Sequence, residues 1–159
     1  METKDILLYE SGDGGEMSIQ SNDLALAETL YMQVYLAMFG GNVEENTKTS
    51  YLNTEERFDW WGNTLFFDDV KSKQFNSNME RTLKNVSLNS SGRLEILRAM
   101  NEDLTYLTDV LDYEIDVELP DVNKIRLIVQ FRQKGNQEDK ILQLVYDNAK
   151  NEIIIEQII

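Results

Sequence analysis

Hydrophobic positions change their period along the chain, and each change marks an element. Ile6, Leu7, Leu8 and Tyr9 form a short apolar run, and Met17 and Ile19 alternate with polar neighbours. Between them, ESGDGGE places glycines at 12, 14 and 15, residues that adopt the positive φ of tight turns. This predicts an N-terminal β-hairpin. From Leu24 the period lengthens. Ala27, Leu30, Tyr31, Val34 and Met38 recur at steps of three and four, which predicts a helix from about Leu24 to Phe39. Asp23 is the expected N-cap, and Gly40-Gly41 is the stop.

The pattern then lapses. NVEENTKTSYLNTEE is polar and loop-like, and RFDWWGNTLFF follows with both tryptophans and three of the six phenylalanines. Such a cluster serves either as a satellite core that pins a loop or as a docking hot spot. Ser77 with Glu80 three residues later forms a capping box and opens a short helix through Met79, Leu83 and Val86. After NSSG at 89–92, with Ser90 or Ser91 as N-cap, a second helix reaches about Leu111. Its Leu97, Met100, Leu104, Leu107 and Leu111 make one apolar face, suited to packing on a sheet.

Beyond it the period is two. Tyr113, Ile115, Val117 and Leu119 alternate with acids, and Pro120-Asp121 is the expected turn. Ile125 to Phe131 and Leu142 to Tyr146 alternate in the same way, and Ile153 to Ile159 end the chain. The pattern is that of an antiparallel meander of three or four strands. The whole reads as one α+β domain over residues 1–159: an N-terminal hairpin, central helices, and a C-terminal meander packed on a helix. At 159 residues, 42% of them hydrophobic, the chain has material for a core without staples.

Composition narrows the chemistry. There is no cysteine and no histidine, which removes disulfides, thiolate or imidazole metal sites, Cys nucleophiles and Ser-His-Asp triads. Fifteen basic residues against 29 acidic ones give a net charge of −14, which argues against DNA or an anionic membrane as partner. Residues 1–70 carry 14 acids against Lys4, Lys48 and Arg57, a net of −11, whereas residues 71–159 carry −3. The acidic half reads as a self-repelling soluble surface, or as a face for a basic partner. METKDILLYES lacks the apolar core of a signal peptide, and the chain has no apolar stretch long enough for a membrane helix.

The remaining catalytic vocabulary is carboxylates, Lys, Tyr and Ser. Adjacent acids occur at Glu44-Glu45, Glu55-Glu56, Asp68-Asp69 and Glu102-Asp103, as chance allows among 29. Glu56, near Trp60 and Trp61, is the best candidate for a glycosidase acid, since apolar burial raises a carboxyl pKa and indoles stack on sugars. Asp68-Asp69 is the weak seed of a magnesium or calcium site. Phosphate-binding glycine loops are absent.

The order of segments resembles the Mu-like phage baseplate protein family. Its members show a "DLA…L…V…L" helix entry followed by an Arg-rich "GWWG[DN]" segment. Asp23, Leu24, Ala25, Leu30, Val34 and Leu36 match the first, and Arg57, Trp60, Trp61 and Gly62 match the second. Asp59 replaces the glycine before the tryptophans, Asn63 stands where aspartate is usual, and Gly40-Gly41-Asn42 replaces a "TDRR"-like stretch. The resemblance implies an α+β wedge subunit of a contractile-tail baseplate, made in the bacterial host cytoplasm and carried in the virion tail. Such a subunit binds larger wedge subunits near sheath and tube proteins, is monomeric or weakly associating alone, and is not an enzyme, with no catalytic residues, metal or cofactor. Relatives labelled lysozyme imply an alternative, a carboxylate-based glycoside hydrolase acting on peptidoglycan. Interface candidates are Arg57, Trp60, Trp61 and Gly62, with Ile153, Ile155 and Ile158 of the apolar last strand, which is suited either to docking by strand addition or to burial inside the domain.

Overall fold

A computed structural model of the chain describes residues 3–11, 14–41, 61–67, 70–150 and 152–158. The fold is α+β. The predicted C-terminal meander is the four strands β7 (Leu111–Asp121), β8 (Lys124–Gln133), β9 (Lys140–Asp147) and β10 (Glu152–Ile158), antiparallel in the order β10-β9-β8-β7. Alternation puts Ile125, Leu127, Val129 and Phe131 of β8 and Leu142, Leu144 and Tyr146 of β9 on the buried face. Pro120 does not turn the chain. It lies within β7, on the sheet edge, where the register shifts between Glu118 and Asp121, and Asp121 pairs with Lys124 around a Val122-Asn123 turn. An edge strand tolerates the missing N–H that a central strand would need.

The covering layer is helical. Helix α1 (Thr29–Phe39) buries Tyr31, Met32 and every residue from Val34 to Phe39, so it is enclosed nearly all round rather than along one stripe. Tyr31 meets Phe131 of the sheet edge-on, with ring centroids 5.2 Å apart. Helix α4 (Ser90–Leu104) packs against β7 and continues as a 3₁₀ turn, Thr105–Asp109. Its N-cap is Asn89, not Ser90 or Ser91: the Asn89 side chain accepts from the amides of Ser91 and Gly92. Helix α3 (Asn78–Asn85) lies against α1 and α4 and begins at the capping-box Ser77, whose Oγ accepts from Glu80 N at 3.2 Å.

The N-terminal region departs most from expectation. Residues 23–28 are strands, and α1 begins at Thr29 behind Glu28, not behind Asp23. Six short strands form three antiparallel arms. β1 (Lys4–Ile6) pairs with β6 (Leu26–Glu28), β2 (Leu8–Ser11) with β3 (Gly14–Met17), and β4 (Ile19–Gln20) with β5 (Asp23–Leu24). The predicted hairpin survives as the β2–β3 arm, while Ile6 pairs with Leu26 instead. The β4–β5 arm closes through Ser21 and Asn22, both at positive φ, the two-residue geometry that matches strand twist. The arms meet at Leu7, Ser18 and Ala25. Leu7 N donates to Ala25 O at 2.8 Å, Ala25 N to Ser18 O at 2.8 Å, and Ser18 N to Leu7 O at 2.9 Å. This closed ring of three bonds uses the N–H and C=O of all three residues, which lets Ala25 sit buried without an unsatisfied backbone group.

Candidate functional site

Chemistry-bearing side chains converge where α1 ends. A helix leaves its last carbonyls without intrahelical partners, and here other segments supply the donors. Gly41, at φ 94°, turns the chain away, and its carbonyl accepts from Ser77 N at 2.7 Å. Gly40 is needed for space: a Cβ there would overlap Leu36 O and lie 2.6 Å from Phe75 Cβ. The Met38 carbonyl accepts from the Ser77 hydroxyl.

Asn63 is the second donor. It lies in helix α2 (Trp61–Phe67), is fully buried, and mimics a strand partner for Phe75. Its Oδ1 accepts from Phe75 N at 2.8 Å, and its Nδ2 donates to Phe75 O at 3.0 Å and toward Gly40 O at 3.5 Å. The other end of α2 is held by Gln74, whose Nε2 donates to Phe67 O at 3.0 Å.

Asp103 completes the cluster from α4. Its Oδ1 accepts from Asn78 N at 2.9 Å, and its Oδ2 from Met79 N at 2.7 Å, so the carboxyl caps the first turn of α3 across space. Burial pushes its pKa up from 3.8 to about 6, and the two amide donors offset only part of that push. Ser77 Oγ lies 3.1 Å from Asp103 Oδ2 while donating to Met38 O. One hydroxyl proton cannot serve both acceptors. The bonds are all satisfied when Asp103 is protonated and donates to Ser77 Oγ. The site is therefore a structural lock built around a carboxyl that is buried, with Asp103 only 7% exposed.

In the sequence Glu102-Asp103 is one of several adjacent acid pairs expected by chance, and Asn63 stands out only as a departure from the aspartate usual in the family the chain resembles. For Asp103 a signal existed: it falls on the apolar stripe with Met100, Leu104 and Leu107, where a charged residue is out of place. For Asn63 the only signal was its position beside the WWG segment.

The other expected residues scatter. Arg57, Trp60, Glu44-Glu45, Glu55-Glu56 and Asp68-Asp69 lie outside the described residues, as does the polar loop before Trp61. Trp61 opens α2, and Gly62 beside it is buried. Ile153 is buried in the core opposite Tyr146. Ile155 pairs with Leu144 and Ile158 with Leu142, on either side of a register shift. β10 is thus an edge strand whose one hydrogen-bonded neighbour among the described residues is β9, and β2 lies alongside it. Among the described residues no group of three or more acids could hold a metal ion, and no helix is long and apolar enough to cross a membrane.

Among the described residues, exposed apolar side chains gather in two places that bear on function. On α2, Leu65 is 67% and Phe66 60% exposed, with Val70 exposed just beyond the helix. On the three-armed unit, Met17, Ile19, Leu24 and Leu26 are 49%, 71%, 41% and 58% exposed. The chain matches no family model, no curated protein and no solved structure among those compared.

Proposed function

We propose that this protein is a non-enzymatic docking subunit of a larger protein assembly, and that the assembly is the baseplate of a contractile phage tail or a prophage-derived relative. The observation that carries the docking reading is α2. This short helix is held at both ends, by Asn63 on Phe75 and Gly40 and by Gln74 on Phe67 O, yet it presents Leu65 and Phe66 to solvent. Apolar side chains on a rigid mount are the composition of an interface hot spot, because little ordering entropy is lost when they are covered. The baseplate identity rests on the resemblance of the Asp23–Leu36 and Arg57–Gly62 segments, and α2 begins inside the second of these.

Co-expression with baseplate wedge, sheath and tube subunits encoded beside this chain's gene tests the reading, scored by size-exclusion chromatography. A defined complex that is lost in Phe66→Ser and weakened in Trp61→Ala supports it. No complex with any tail subunit removes the baseplate assignment. Loss of cell-wall turbidity with the purified chain, abolished by Glu56→Gln, would replace it with the hydrolase reading.

A further inference from the structure

We infer that the outer face of the three-armed N-terminal unit is a second docking surface, and that its partner is a protein surface with an apolar centre and a Lys/Arg rim. Leu24 and Leu26 flank Ala25, and Met17 and Ile19 flank Ser18. Extended backbone alternates sides, so Leu24 and Leu26 lie opposite Ala25, which faces inward and is buried, and Met17 and Ile19 lie opposite Ser18; all four are exposed. Cross-strand pairing joins two of these positions to each other and a third to a neighbour: Ile19 sits opposite Leu24, and Ile6 opposite Leu26. The arms thus gather an apolar patch around one backbone ring, which fixes its shape without a large core beneath it. Contiguous apolar surface of this kind on a small protein marks an interaction site.

The charge around the patch selects the occupant. Residues 1–28 carry seven acids against Lys4, and of the seven Glu28 is paired with Lys140. Asp5 and Asp23 are exposed in the arms that bear Ile6 and Leu24, and among the described residues each accepts from the amide of the next residue alone. A second copy of this chain would bring an equally acidic rim against this one. The chain's own residues 42–60 are also net acidic, with Glu44, Glu45, Glu55, Glu56 and Asp59 against Lys48 and Arg57. Like charges at a rim penalise both pairings, and a cationic rim is favoured. This surface shares no residue with α2, so the inference does not depend on the docking reading of that helix.

The test uses the full chain and two synthetic helices, a Leu/Lys amphipathic peptide and a Lys/Ala peptide of equal charge without the apolar face. By calorimetry at about 50 mM salt the Leu/Lys helix should bind saturably, and at about 500 mM salt it should bind more weakly. Ile19→Ser and Leu26→Ser keep the charge and should weaken it by about tenfold or more. Neither should lower the thermal midpoint, since both positions are exposed. Equal binding of the Lys/Ala peptide, or unchanged affinity in both serine variants, would reduce the effect to bulk charge and overturn the proposal. It is equally overturned by no saturable binding, by a fall in midpoint showing that the chain covers this face itself, or by a concentration-dependent dimer that Ile19→Ser abolishes.

Discussion

Asp103 shows how a single ionisable group can act as a fold lock. Its carboxyl binds a proton more tightly in the folded chain, near 6, than in the unfolded chain, near 3.8. Its contribution to stability is therefore complete below about pH 4, falls as pH rises toward 6, and stays low above that. The span is about 3 kcal/mol. Asp103→Asn removes the titration but not without loss: with the amide oxygen at the Oδ1 position accepting from Asn78, the amide nitrogen at the Oδ2 position can donate to Ser77 Oγ and leaves Met79 N without its acceptor. In urea melts the variant should be less stable than the parent near pH 4 by about 1–3 kcal/mol, the cost of the unpaired Met79 amide, and that deficit should shrink as pH rises to 7, because only the parent loses the Asp103 contribution. A parent-minus-variant difference that is flat from pH 4 to 7 would refute the protonated lock. Gly92 offers a second single-residue test. Helix propensity alone predicts that Gly92→Ala gains about 1 kcal/mol. A Cβ at Gly92, however, would overlap the Ser87 carbonyl oxygen and lie 3.1 Å from the carbonyl carbon. A loss of about 1–3 kcal/mol is expected instead, and a gain in midpoint would show that the α3–α4 connection yields easily.

At the scale of elements, the ring joining Leu7, Ser18 and Ala25 makes three arms interdependent. None of the arms is long enough to be stable alone, and no ring bond can be kept if another arm leaves. The three amides should therefore exchange with deuterium at one common rate, slower than that of Gln20 at the arm's end, and rates that differ by about tenfold or more would mean that the arms open separately. This junction is also where periodicity misled. Ala27, Leu30, Tyr31 and Val34 do fall at helical steps, but Leu24 and Leu26 also alternate against Ala25 and Ala27, and Ser21-Asn22 can turn. Two periods overlapped in one segment, and the ring that decides between them joins residues 18 positions apart, beyond any local window. The Ser77 N-cap and the meander were readable because each depends on near neighbours in sequence; the return half of the capping box is replaced by Gly41 O, which accepts from Ser77 N. Asn63 was not, since its partners Gly40 and Phe75 come from two other segments.

For the whole molecule, the question is how the acidic N-terminal unit stays on the sheet. One tie is electrostatic: Lys140 Nζ, at the start of β9, lies 2.6 Å from Glu28 Oε2 at the end of β6 and 5.6 Å from the centre of the Tyr31 ring. Both side chains are largely buried, and the hydrogen bond from Lys140 to Glu28 raises the lysine pKa despite desolvation. Because that folded pKa lies above the unfolded value, the tie is complete at neutral pH and is lost as pH rises through the folded value. Removing one partner strands the other: Lys140→Met leaves a desolvated carboxylate beside Tyr31 and should cost about 1–3 kcal/mol. Replacing both, with Lys140→Met and Glu28→Leu together, should recover most of that loss, because two apolar groups pack where two charges had to pair. Hydrogen exchange separates the scales. If the tie holds the N-terminal unit to the sheet, Lys140→Met accelerates the Leu7, Ser18 and Ala25 amides more than those of Leu127 and Leu144 in the central strands. If all five accelerate equally, the N-terminal unit and the sheet unfold together, and the ion pair stabilises the whole fold rather than one junction within it.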